Sequence, residues 1–159
     1  MITFSHFDKE DWPDISEIYQ EGINTKMATF ETQLPDWSQW DQTHIQRCRI
    51  KALKNGIIIG WAALSPISKR EVYKGVAEVS IYISKSFRHQ KIGTHLLHTL
   101  IEESKKEGFW TLQANIFSIN TASIRLHQKA GFRVVGIREK IARLDGEWYD
   151  NTLLEKRHN

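Results

Sequence analysis

Residues 76–97 read VAEVSIYISKSFRHQKIGTHLL, and two periodicities meet in them. Over Val76–Ile83 the side chains alternate: Ala77, Val79, Ile81 and Ile83 face one way, Glu78, Ser80 and Tyr82 the other. A period of two belongs to a strand. From Ile92 onward Leu96, Leu97, Leu100 and Ile101 fall at helical spacing, and the stripe runs out near Gly108. Between strand and helix lies Arg88-His89-Gln90-Lys91-Ile92-Gly93-Thr94. A helix start offers unpaired backbone N–H groups and a partial positive charge, which together suit a phosphate or diphosphate. Gly93 permits close backbone approach, and Arg88 and Lys91 add full charges. The glycine spacing and the Gly-Lys-Ser/Thr ending of a P-loop are absent. On these residues alone, an anion site and an ordinary polar helix start both stand.

Upstream, Asp11 and Pro13 open a helix whose apolar residues are Ile15, Ile18, Tyr19 and Ile23. Lys26–Trp40 reads as a loop with a short helix from about Ser38. Cys48–Leu53 and Ile57–Ser65 flank Asn55-Gly56, a hairpin signal because both residues tolerate positive φ. Downstream, Thr111–Phe117 is a strand with Leu112, Ala114 and Ile116 on one face. Ala122, Leu126 and Ala130 follow Asn120 at helical spacing, and Gly131 ends that helix. Phe132–Arg143 and Glu147–Glu155 pair across Asp145-Gly146. The order β-α-(α)-β-β-β-α-β-α-β-β predicts a mixed α/β sheet, neither Rossmann alternation nor a sandwich.

The 159 residues suit one domain, and 40% hydrophobic with 26% charged residues is a globular balance. No apolar run approaches the roughly 18 residues that span a bilayer, and the first residues lack a signal-peptide layout. The single cysteine, Cys48, excludes an internal disulfide and suits a reducing, cytoplasmic setting. Cys48 opens the strand-like run Cys48–Leu53, which holds no histidine, and reads as core rather than nucleophile. The net charge of +3 is spread among acidic residues, which argues against a nucleic-acid partner. Tryptophans 12, 37, 40, 61, 110 and 148 fall at element ends or in strands, where aromatics are core or interface material. His95 and His98 lack the partners of a zinc arrangement, so no metal is expected.

Three blocks carry a family resemblance: Met27-Ala28-Thr29-Phe30-Glu31-Thr32; Ala77–Ile83 followed by Arg88–Gly93; and Asn120 through Phe132, of the form Asn-x-x-Ser-x-x-Leu-His-x-x-x-Gly-Phe. Gly146-Glu147-Trp148-Tyr149-Asp150 adds a fourth, weaker one. Together they resemble the GNAT superfamily of N-acetyltransferases, in particular its phosphinothricin and methionine-sulfoximine acetyltransferase branch. The resemblance spans nearly the whole chain with the element order intact. It implies one domain over residues 1–159, of α/β (α+β) class, with a mixed, splayed central sheet, about four helices and a C-terminal hairpin.

The resemblance further implies acetyl-CoA as co-substrate. Its diphosphate would lie on Arg88, His89, Gln90, Lys91, Ile92, Gly93 and Thr94. Its pantetheine arm would run beside Ile81, Tyr82 and Ile83, with Asn120 and Ser123 in contact. Glu78 would be the general base, a backbone N–H near Ile81 the oxyanion donor, and His127 the proton donor to the leaving thiolate. A small amino-acid-like primary amine would be held by Phe30, Glu31, Arg70 and Tyr73, although Ser68 stands where the branch has a second arginine. Acetylation of a protein N-terminus or lysine and a silent acetyl-CoA-binding module are the rival readings. A homodimer is implied, with Trp148 and Tyr149 near its contact. Lys91 and His89 occupy positions where relatives carry glycine; positive φ at either would cost about 1 kcal/mol.

Overall fold

Ile15, Ile18, Tyr19 and Ile23 are the buried stripe of helix α1 (Trp12–Asn24), with Pro13 in the first turn, where a missing N–H costs nothing. In the computed structural model, which describes residues 1–159, helix α2 runs from Trp37 to Thr43. It starts one residue before the expected Ser38 because Asp36 and Gln39 form a reciprocal capping box. Helices α3 (Ile92–Lys106) and α4 (Thr121–Lys129) follow the predicted stripes.

Seven strands form one sheet in the order β1-β2-β3-β4-β5-β7-β6. They are β1 (Ile2–His6), β2 (Ile50–Lys54), β3 (Ile57–Pro66), β4 (Val76–Ile83), β5 (Thr111–Phe117), β6 (Arg133–Leu144) and β7 (Glu147–Arg157). Both hairpin turns have the positive φ pair that was expected: Asn55 and Gly56 at 52° and 77°, Asp145 and Gly146 at 51° and 82°. The strand expected from Cys48 begins only at Ile50. Cys48 takes φ 61°, and Arg49 is turned inward to hydrogen-bond the carbonyls of Ile45, Asp41 and His44.

The sheet is covered on both faces. Ala62, Leu64, Ala77, Val79, Leu112 and Leu154 pack against Leu96, Leu97 and Leu100 of α3. On the other face Trp61 and Ala63 meet Ile15, Ile18, Tyr19 and Ile23 of α1 and Trp40 of α2. Alternation along β4 therefore sends Glu78, Ser80 and Tyr82 to the α1–α2 side. No helix is long and apolar enough to cross a membrane.

One junction positions the site. β4 and β5 run parallel but pair at only three positions, Val76–Thr111, Ala77–Leu112 and Glu78–Gln113. The carbonyl of Gly75 fastens their start, accepting from the N–H groups of Trp110 (2.8 Å) and Thr111 (3.2 Å). The Trp110 indole lies where a Cβ on residue 75 would stand. Beyond Glu78 each strand follows its antiparallel partner instead, β4 along β3 and β5 along β7. The two separate, and the backbone N–H groups of β4 that would have bonded β5 open onto the gap.

Candidate active site

Two cavities meet at this gap and share Met27, Ala28, Ile81, Tyr82, Asn120 and Ser123. The first, about 490 Å³, lies on the α1–α2 side between β4, β5 and the loop Met27–Glu31. The second, about 710 Å³, runs from the gap to the start of α3.

Glu78 stands where the strands part. Its Oε1 accepts hydrogen bonds from Asn115 Nδ2 (2.6 Å) and Gln113 Nε2 (3.2 Å), both on β5. Two amides thus fix one carboxylate oxygen, and Oε2 is left without a protein partner at the wall of the first cavity. Asn115 Oδ1 is buried and has no partner either. These amides were not singled out from the sequence. The signal was present, since Gln113 and Asn115 occupy the face of β5 opposite its apolar residues.

Phe30 and Glu31 line the same cavity, and Phe30 packs on Phe117 with ring centroids 4.3 Å apart. Arg70 and Tyr73 do not join them. Both are exposed on the segment between β3 and β4, the guanidinium of Arg70 lying 5.4 Å from the Tyr73 ring, and neither lines either of these two cavities. Arg138 and Asn151, unremarked in the sequence, do line the first cavity.

His127, on α4, is 2% exposed. Its Nδ1 lies 2.8 Å from the carbonyl oxygen of Ser123, so Nδ1 carries the proton and Nε2 keeps a lone pair. That Nε2 is buried without a partner. Burial pushes the pKa of His127 down, as it does for His44 and His158. The side chain therefore rests neutral, with an acceptor at Nε2 rather than a proton to hand over.

These three shifts have a stability consequence. The folded pKa of each lies below the unfolded value of about 6.5, so folding favours the neutral ring. Their contribution is full above pH 6.5 and is lost as pH falls through that value toward the folded pKa. Urea midpoints are expected to drop between about pH 7 and pH 5.5, and a flat profile there would contradict the burial account.

At the start of α3, His89 and Lys91 both take positive φ, 66° and 64°. Lys91 is the N-cap and makes no side-chain capping bond. The first N–H groups of the helix therefore stay free, in a concave backbone of the kind that holds anions. Arg88, His89, Lys91, Ile92, Gly93 and Thr94 line the second cavity with Ile81, Tyr82, Ile83, Asn120 and Ser123; Gln90 does not. Arg125 and Lys129 of α4 add two cations that sequence reading missed. Neither they nor Arg88 and Lys91 make an ion pair within the chain. Free amides and four unpaired cations fit a diphosphate. Asn120 braces the passage between the cavities, its Oδ1 accepting from the Ser123 N–H (3.2 Å) and its Nδ2 donating to the Met27 carbonyl (3.3 Å). The ring of Tyr82 is stacked on Trp61, centroids 4.9 Å apart, and packs on Tyr19.

Cys48 is fully buried in the core, and burial pushes its thiol up to about 12. It lines neither cavity.

Compared with known proteins, residues 9–132 match the acetyltransferase (GNAT) family. The chain is 31% identical over 157 residues to the phosphinothricin N-acetyltransferase of Alcaligenes faecalis, covering 92% of this chain and 78% of that one. It is 29% identical over 151 residues to the L-methionine sulfoximine/L-methionine sulfone acetyltransferase of Pseudomonas aeruginosa, covering 91% and 88%. Its fold superimposes with a TM-score of 0.88 on a GNAT superfamily phosphinothricin acetyltransferase from Sinorhizobium meliloti solved with AcCoA, at 27% identity and covering 98% and 88%. With a strand pair that parts beside a carboxylate and a helix start that fits a diphosphate, the chain belongs to the acetyltransferase (GNAT) family and is an N-acetyltransferase that uses acetyl-CoA.

Proposed function

We propose that this enzyme acetylates the primary amine of a small amino-acid-like acceptor, of the phosphinothricin or methionine-sulfoximine type, by direct transfer in a ternary complex. The observation that carries the reading is Glu78, held at one oxygen by Asn115 and Gln113 and free at the other, on the wall of the first cavity where β4 and β5 part. Glu78 Oε2 takes a proton from the acceptor ammonium, directly or through a water. The freed amine attacks the thioester carbonyl carbon, and the C–S bond breaks as the C–N bond forms. An N–H of β4 near Ile81, unclaimed by β5, receives the charge that develops on the carbonyl oxygen.

His127 rests as a proton acceptor at Nε2. It can relay a proton to the departing sulfur only after receiving one, and the proton released by the amine is the available source. Direct transfer fits the inert, buried Cys48, which leaves no thiol at hand for a covalent acetyl-enzyme. A small acceptor fits a 490 Å³ cavity roofed by Met27–Glu31 better than a peptide chain does.

An acceptor panel tests this. Thiol release from acetyl-CoA is expected to be saturable with methionine sulfoximine, methionine sulfone, phosphinothricin or free amino acids, and negligible with short peptides. Turnover confined to peptides, or cofactor binding without turnover on any amine, overturns it. We further propose a cytoplasmic homodimer, supported by the lone cysteine and by apolar exposure on the last hairpin, where Ile137 and Trp148 are 60% and 56% exposed. Sedimentation as a monomer at micromolar concentration would exclude the dimer.

A further inference from the structure

The acceptor cavity contains one Arg or Lys side chain, and it is not one that the sequence suggested. Arg138 lies on β6, opposite Asn151 on β7, which in turn lies opposite Phe117 on β5. Residues opposed in this way share a sheet face, and all three line the cavity. Just past Arg138 the β6–β7 pairing jumps from Arg138–Asn151 to Ala142–Tyr149. Three residues of β6 thus stand against Asp150 alone. Lys140 takes φ 46° there, and its N–H donates to Asp150 Oδ1 at 2.8 Å. A bulge of this kind breaks the ladder and re-aims neighbouring side chains, and bulges recur beside active sites.

The Arg138 side chain makes no ion pair and no hydrogen bond within the chain, although Glu31 lines the same cavity. Beside it, Asn151 Oδ1 is buried with no partner. Farther along the sheet from β6, on β5 and β4, stand the unpartnered Asn115 Oδ1 and the open oxygen of Glu78, both acceptors suited to an ammonium. The cavity is therefore polarised, with acceptors at the reacting end and a planar cation with a polar amide at the other. An α-amino acid has the complementary layout, an ammonium at one end and a carboxylate at the other. A guanidinium binds a carboxylate through two parallel hydrogen bonds.

We propose that Arg138, an exposed residue that lines this cavity beside the bulge at Lys140, is the carboxylate anchor for the acceptor, the task for which Arg70, which lines neither cavity, is misplaced. The assignment rests on the amino-acid-like acceptor argued above. It makes Arg138 a specificity-determining residue. It touches the acceptor far from the bond being made, so its loss weakens binding rather than chemistry.

The test compares methionine sulfone with its α-carboxamide at saturating acetyl-CoA, using the full chain and its Arg138→Gln, Arg138→Lys and Arg70→Gln variants. Wild type is expected to prefer the acid. Arg138→Gln is expected to raise KM for the acid about 10- to 100-fold, with kcat within about threefold and KM for the carboxamide unchanged. Arg138→Lys should recover part of the loss, because the charge remains while the fork does not. The assignment is overturned if Arg138→Gln affects acid and amide alike, or if Arg70→Gln is the variant that erases the preference. Wild type turning over acid and amide equally also overturns it, and leaves the amine-acetylating reading intact. If wild type acetylates other amines but no amino acid, the acceptor class falls and the assignment with it. Thermal unfolding of each variant separates loss of fold from loss of recognition.

Discussion

Glu78→Gln is expected to lower kcat by about 100-fold or more, while KM for acetyl-CoA stays within about twofold of wild type. The glutamine amide keeps an acceptor oxygen for Asn115 and Gln113, so the junction of β4 and β5 need not rearrange. What it removes is the second oxygen, the one at the cavity wall that can take a proton. The proposed diphosphate site lies in the second cavity, at the start of α3 and away from Glu78 on β4, which is why cofactor affinity should be spared. Stopped assays of thiol release at saturating acceptor, beside calorimetric titration with acetyl-CoA, check both halves. A kcat within threefold of wild type would remove Glu78 from proton transfer.

Arg49→Ala is expected to cost about 3–5 kcal/mol of folding stability, among the largest effects of any single truncation in this chain. The side chain is 7% exposed, and its Nη1 lies 2.7 Å from Asp41 Oδ1. It also donates to the carbonyls of Ile45, His44 and Asp41, and stands over the rings of Trp37 and Trp40 at 5.5 and 5.0 Å. Truncation leaves three part-buried carbonyls and a carboxylate that is one-third exposed without their donor, and opens a void against Trp37 and Trp40. For a domain of this length the melting temperature should fall on the order of 10 °C. Asp41→Asn should cost much less, because the guanidinium keeps its carbonyl partners. The effect reaches the site indirectly. Arg49 fastens the end of α2, from which His44 lines the acceptor cavity. A loss below about 1 kcal/mol in urea unfolding would show that this network is not what holds α2.

The cofactor half of the site was more legible in sequence than the acceptor half. A helix start announces itself locally: the end of an alternating strand, a polar loop with Arg88 and Lys91, and a helical apolar stripe suffice to locate unpaired amides. Even the strain was foreseeable, since the family resemblance implies glycine at the positions of Lys91 and His89, and both take positive φ. The acceptor half is assembled from β4, β5, β6, β7 and the loop after α1, and no local pattern joins them. Arg70 is near Glu78 in sequence yet exposed on a connecting segment. Arg138 is sixty residues from Glu78, on the wall of the same cavity.

Strand alternation, the turns at Asn55-Gly56 and Asp145-Gly146, the apolar stripes of the helices and the basic start of α3 were all determined by the sequence alone, because each depends on neighbours a few residues apart. Only the tertiary structure decided that β4 and β5 part after three pairs, since each is held by a full antiparallel ladder on its far side. It alone also decided that Arg49 turns inward, that His127 shows a bare Nε2, and that Arg138, just before the bulge at Lys140, lines the cavity. Those outcomes depend on bonds between residues far apart along the chain. Period-two and helical patterns specify which face a residue takes in a regular element, but they do not encode where a ladder stops or shifts.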